Sequence, residues 1–230
     1  NQQICAGDPT QPITFDTENE DGTTTYTWTN DNPLIGLAAS GPSPEDPTAT
    51  TIPSFTTSLV ATSQIATIEV TPTYTNNGVT CTGESETFTI TVNPAAQVDF
   101  EPSQVLCVGD STEEIEFTTS NTDGTTTYTW TNDNPLIGLA ASGPSPEDAE
   151  PNKIPSFVVT NNNAFNALVA NIEVTPTYTN NGFSCVGESE TFTITVNPAA
   201  QVDPVPNQQI CAGDPTQPIT FDTENEDGTT

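Results

Sequence analysis

The sequence predicts an all-β protein of tandem antiparallel β-sandwich units in a linear array. Three observations carry this reading. The composition suits strands and turns, one long segment returns almost unchanged along the chain, and apolar residues alternate with polar ones within each copy. The 230 residues include 21 Pro, abundant Thr, and neither Met nor His. Thr is stiff at its branched Cβ and Pro lacks a backbone donor, so helix is disfavoured and strands joined by many turns are favoured.

The repeat sets the domain organisation. GTTTYTWTNDNPLIGLAASGPSPED at 22–46 recurs letter for letter at 124–148, an offset of 102. GESETFTITVNPAAQVD at 83–99 recurs at 187–203, an offset of 104. The extra residues fall between SPED and IEV, where the copies also diverge, so a surface loop or edge strand is expected there. Residues 207–230 repeat 1–24. The chain therefore reads as unit 1 (1–99), unit 2 (100–203) and the start of a third (204–230), a fragment of a longer array.

Each unit shows the same order of elements. ITFDT at 13–17 is a weak strand. ENEDG at 18–22 is a turn leading into TYTWT, where Tyr26 and Trp28 share one face and Thr25, Thr27 and Thr29 the other. ASGPSPEDP at 39–47 is a Pro-rich loop, and IPSFTTSLV at 52–60 another weak strand. Ile68, Val70, Pro72 and Tyr74 then share a face, TNNG at 75–78 forms a hairpin turn, and Phe88, Ile90 and Val92 share a face. Period-two alternation with one apolar face marks half-buried strands of antiparallel sheets. About seven short strands in about 100 residues is the pattern of an immunoglobulin-like sandwich. Tyr26, Trp28, Tyr128 and Trp130 are the expected core anchors.

The blocks ICAGD, ITF, TYTWTNDN, IGLAASG, IPSF and IEVTPTYTNNGVTCTGESETFTITVNP resemble the PKD-like repeats of giant cell-surface proteins of Bacteroidota. The resemblance covers both complete units and the partial third. It implies an immunoglobulin-like fold, export by the type IX secretion system and a place in long extracellular adhesins, among them the mobile adhesins of gliding bacteria.

Five cysteines stand at 5, 81, 107, 185 and 211. Wide spacing and the lack of His argue against metal binding, whereas paired cysteines in an exported repeat suggest disulfides. Two pairings fit. Within units, Cys5–Cys81 and Cys107–Cys185 leave Cys211 unpaired; across junctions, Cys81–Cys107 and Cys185–Cys211 leave Cys5 unpaired. The first is the favoured pairing, with Cys5 opening its strand at the pole that holds Cys81. If Cys5 instead lies at the far pole, it would approach a neighbouring unit.

Asp and Glu total 31 against one basic residue, Lys153, for a net charge of -30. Direct nucleic-acid binding needs Lys and Arg and is excluded; an anionic membrane surface would repel the chain. No run of about 18 apolar residues predicts membrane insertion. Without His, and without Lys in unit 1, general-base and Ser-Lys chemistry have no players, so no catalytic residues and no required cofactor are expected. Calcium is the candidate ion, since carboxylates are hard oxygen ligands. Asp16, Glu18, Glu20 and Asp21 crowd one loop, but unit 2 keeps only Asp123 there. Glu45, Asp46, Glu147 and Asp148 are present in both copies and are the candidate weak site. The triplet DST at 110–112 makes Ser111 a candidate O-glycosylation site. The expected function is a stalk segment of an extracellular cell-surface filament whose partners are neighbouring repeats. NPAAQVD at 93–99 is a junction too short for a flexible linker. The rival is a module that binds surface polysaccharide through loops such as TNDNP, with repetition giving avidity.

Overall fold

The computed structural model describes residues 1–42, 50–100, 103–144 and 151–225. The chain packs as two compact units whose border does not follow the repeat. One comprises Asn1–Val98 together with Thr119–Thr127 and Pro176–Glu188. The other comprises Asp99–Thr118, Tyr128–Thr175 and Ser189–Thr230.

The first repeat supplies β1 (Gln2–Cys5), β2 (Ile13–Thr14), β3 (Thr23–Asn30), β4 (Ser40–Gly41), β5 (Thr51–Ile52), β6 (Gln64–Asn76), β7 (Val79–Thr82) and β8 (Glu86–Asn93). The large sheet runs β1-β8-β6-β3-β4, with β7 paired to the end of β6. The facing layer is the short antiparallel pair β2–β5. Along β6, Ala66, Ile68 and Val70 point inward and are buried, while Thr67 and Glu69 are exposed. Tyr26, Trp28, Ile90 and Val92 share that inner face, closed from the other side by Ile52 and by Ile35 and Leu37 around a 3-10 turn, Pro33–Ile35. A fully buried Ile contributes about 1.5–3 kcal/mol relative to exposure, so this single apolar face carries the repeat.

The second repeat repeats the plan with β9 (Gln104–Cys107), β10 (Ile115–Glu116), β11 (Thr125–Asn132), β12 (Ser142–Gly143), β13 (Lys153–Ile154), β14 (Leu168–Asn180), β15 (Phe183–Val186) and β16 (Glu190–Asn197). Its sheet order is β12-β11-β14-β16-β9, with β15 on β14 and β10–β13 as the second pair. Lys153 pairs with Glu114 at 3.0 Å. Trp130 and Tyr128 are buried like their counterparts.

Local chemistry explains the turns. Asn77 and Gly78 both have positive φ, at 49° and 79°, as a two-residue type I′ hairpin requires, and Asn181–Gly182 repeats this. The segment 52–60 forms strand only at its start. Pro53 cannot donate to a ladder, and the Thr57 hydroxyl donates to Cys5 O and Asp8 O, so side-chain bonds replace strand pairing. Edge strand β1 runs parallel to β8, with Gln2 opposite Ile90 and Cys5 opposite Asn93.

Two tests follow from this packing. Gly41 lies against the Trp28 ring, and Gly143 against Trp130, so that an added methyl would collide with the indole. Gly41→Ala is expected to destabilise the first repeat by about 1–3 kcal/mol, the usual cost of overpacking, read as a lower midpoint in urea melts. The second test concerns acid. Asp133 accepts bonds from the Asn171 side chain and backbone, each at 2.7 Å, and these hold its carboxyl below the usual value of 3.8. A depressed folded-state pKa stabilises above the unfolded value and is lost as pH falls through the folded one. Asn171→Thr, which installs the residue found at position 67, should move the Asp133 titration upward in carboxyl NMR.

Candidate functional site: the repeat junction

The first compact unit contains the first repeat together with 119–127 and 176–188 of the second, and side chains and backbone of both repeats bond to one another where these meet. The first repeat contributes the pole where β1 and β8 end: Cys5, Asn93, the segment 94–98 and Ser63, just ahead of β6. The second contributes the β14–β15 hairpin and the loop at 119–124.

Cys5 is disulfide-bonded to Cys185, with the Cα atoms 5.6 Å apart. This corrects both expected pairings: Cys5–Cys81 and Cys107–Cys185 are not formed, nor are Cys81–Cys107 and Cys185–Cys211, and Cys81, Cys107 and Cys211 are free thiols. The reason lies in strand register. Cys5 stands opposite Asn93, beside the Gln64 end of β6, whereas Cys81 stands opposite Tyr74 near the other end. The two positions lie about ten residues apart along the strand, roughly 33 Å at extended rise. A disulfide needs Cα atoms within about 7 Å. Bridging residues 180 apart in sequence removes about 5 kcal/mol of unfolded-state freedom in the chain-entropy model.

Hydrogen bonds surround the bridge. Asn180 Nδ2 donates to Ser63 Oγ at 2.8 Å, and Ser63 Oγ donates to Asn93 Oδ1 at 2.7 Å. The Tyr178 hydroxyl lies 3.3 Å from Ser63 Oγ and donates to Thr122 O at 2.9 Å. Gln97 N donates to Asn121 Oδ1 at 2.8 Å and Asn121 Nδ2 to Ala95 O at 3.1 Å, so the connecting segment is fixed through its own backbone. Ser120 Oγ donates to Gln97 Oε1. Ala96 and Val98 are buried.

The effect on burial can be read by comparing the copies, whose hairpins differ only at Val79, Thr80 and Thr82, replaced by Phe183, Ser184 and Val186. Tyr178 and Cys185 are 0% exposed, whereas Tyr74, at the same place in the first repeat, is half-buried and Cys81 is exposed. Val98 is 9% exposed and its copy Val202 is 63% exposed.

Other residues singled out by the sequence have different settings. The loop TNDNP is committed to structure: Asn30 Nδ2 donates to Leu37 O, Asp31 Oδ1 accepts from Thr67 N, and Asn32 Nδ2 donates to Ile65 O. Ser111 is exposed, with its backbone bridged to Val158. Glu45, Asp46, Glu147 and Asp148 lie outside the described residues. Among the described residues no group of three or more His, Cys, Asp or Glu side chains is arranged to hold a metal ion, and no helix is long and apolar enough to cross a membrane. Sequence reasoning offers bonds across a junction, and a Cys5 at the far pole approaching a neighbouring unit, but it names neither the Cys5–Cys185 pair nor the roles of Ser63, Asn93, Asn121 and Asn180.

No protein-family description matches the chain, and no curated protein matches it. Solved structures with some likeness include EC21–23 of human CDH23, at 13% identity over 98% of this chain and 78% of that one, with a TM-score of 0.36. Drosophila N-cadherin EC1–4 is 15% identical over 87% of this chain and 50% of that one, at 0.36. A sialyltransferase from Photobacterium damsela is 10% identical over 48% of this chain, at 0.24; the match spans only 19% of that enzyme. With TM-scores below 0.5, none of these likenesses decides a function.

The junction offers a test of its own. A methyl at Gly187 would drive into the backbone of Ala96, whereas at Gly83, the same position in the first repeat, it would crowd the Pro72 ring of its own repeat. Gly187→Ala should therefore loosen the junction, exposing Cys185 to alkylation after mild reduction, while Gly83→Ala, whose clash lies within the first repeat, leaves Cys185 protected.

Proposed function

We propose that this chain is a segment of the stalk of a long extracellular cell-surface adhesin, a structural element with no catalytic role. The observation that carries the reading is the junction: near-identical repeats are joined by a disulfide and by hydrogen bonds to the connecting backbone, a construction suited to transmitting tension. The acidic surface, with a net charge of -30, keeps neighbouring filaments apart within a Debye length of about 8 Å at physiological salt. Carriage by type IX secretion and membership of the mobile, gliding-type adhesins rest on the sequence resemblance. Loose binding of Ca2+ by the acidic surface and glycosylation at Ser111 belong to the same reading.

The rival is a polysaccharide-binding module. The bonding of Asn30, Asp31 and Asn32 to their own repeat favours the stalk. A glycan array that captured the chain would favour the rival.

Two measurements test the proposal. In single-molecule pulling, the oxidised chain should keep the 180-residue stretch between Cys5 and Cys185 locked, and reduction should release about 600 Å of further contour length. A fluorescent Fab against one repeat should label filaments on source cells. Labels that travel along the cell support the gliding type; fixed labels reduce the proposal to static attachment.

A further inference from the structure

The second repeat is capped by the first, and the residues of the first repeat that correspond to the capped ones are open. In the second repeat, Phe100 packs between Phe117 and Phe192, with ring centroids 6.3 Å and 5.1 Å away. The corresponding rings of the first repeat, Phe15 and Phe88, instead line a groove of about 400 Å³ with Ile13, Tyr26, Val70 and Pro72. The Tyr26 hydroxyl is buried without a hydrogen-bond partner among the described residues. On the same end of the repeat lie exposed Cys81 and half-buried Tyr74.

The way an end is capped recurs along the chain. Asp99 N donates to Thr118 O at 2.8 Å and Gln97 N to Asn121 Oδ1 at 2.8 Å; at the next junction, Asp203 N donates to Asp222 O at 2.9 Å and Gln201 N to Asn225 Oδ1 at 2.9 Å. The first repeat carries Asp16 and Asn19 at the receiving positions.

We propose that the Tyr74–Cys81 end of the first repeat is a docking surface for the opposite end of another copy of this repeat, joined ahead of Asn1. The connecting segment of that copy fills the groove between Phe15 and Phe88, and the cysteine equivalent to Cys5 bonds to Cys81. Every bond in the array then follows one rule: the first cysteine of a repeat pairs with the second cysteine of the repeat after it. Cys107 is, by the same rule, the donor to a following copy. Each bond forms as two thiols lose two protons and two electrons to an external low-molecular-weight disulfide, such as oxidised glutathione, which leaves as two thiols. The rule does not depend on what the array does outside the cell.

The test fuses residues 100–206 ahead of Asn1 of the full chain, which reproduces the natural 206–207 connection. The product is oxidised with glutathione disulfide and digested without reduction for mass spectrometry. The expected result is Cys81 linked to the added copy of Cys107, with Cys5–Cys185 retained. Cys81 that stays open to alkylation while Cys5–Cys185 forms, or that links to Cys5, overturns the proposal. A second fusion carries Cys107→Ser in the added copy only. There, amide exchange at the Tyr74–Val79 hairpin should still slow by about tenfold or more relative to the unfused chain, since docking protects against local opening. Unchanged exchange in that fusion would show that no surface docks and would equally overturn it.

Discussion

The parallel pairing of β1 with β8 sets the first and last strands of a repeat side by side at one edge of the sheet. It brings Cys5 to the end of the repeat from which the chain departs, next to Asn93 and the segment that follows. The β6–β7 hairpin is left at the other end by the antiparallel course of the sheet. A repeat therefore has two unlike ends: one carries a cysteine beside the outgoing chain, and the other carries a cysteine on a hairpin over a tyrosine. Head-to-tail succession brings unlike ends together. Had β1 run antiparallel over the same residues, Cys5 would stand opposite Ile90, about 10 Å back from the end at which the next repeat begins and out of reach of Cys185.

A closely similar hairpin is more exposed in one copy than in the other, which separates what the sequence stabilises locally from what its neighbour adds. The strands, the type I′ turn and the tyrosine hydroxyl bond to the preceding loop are present in both copies: Tyr74 donates to Glu20 O at 2.8 Å and Tyr178 to Thr122 O at 2.9 Å. Only the second copy gains the bonds to Ser63 and Asn93 and the disulfide. The repeat is thus complete as a fold and incomplete as a surface. That is the condition in which stacking another repeat buries apolar groups without any change in the core.

Alternation and repetition made the large sheet, its inner face and the hairpin turn legible in the sequence. They did so because Ile68, Val70, Ile90 and Val92 face a core whose pattern is fixed by strand period alone. The segment 52–60 was less legible, because its pattern resembles a strand while Pro53 and the Thr57 hydroxyl favour a different bonding scheme. Disulfide connectivity was illegible for another reason. A count of five cysteines is satisfied by several pairings, and choosing among them requires the direction of β1 against β8, on which side-chain periodicity is silent. The placement of Phe100 between Phe117 and Phe192 was hidden in the same way, since a residue in a connecting segment has no periodic neighbours.

The bond between Cys5 and Cys185 encircles nearly all of two repeats, including every loop between them. A protease that cuts one peptide bond in any of those loops would leave two fragments still tied to each other. The nicked chain would stay continuous from end to end through sulfur rather than through the backbone. If such bonds overlap from one repeat to the next, as proposed above, a single cut severs nothing until a reductant reaches the same place. Damage tolerance of this kind comes from the staggering of the bonds; a disulfide confined to one repeat would protect that repeat alone and leave the connections between repeats open to cleavage.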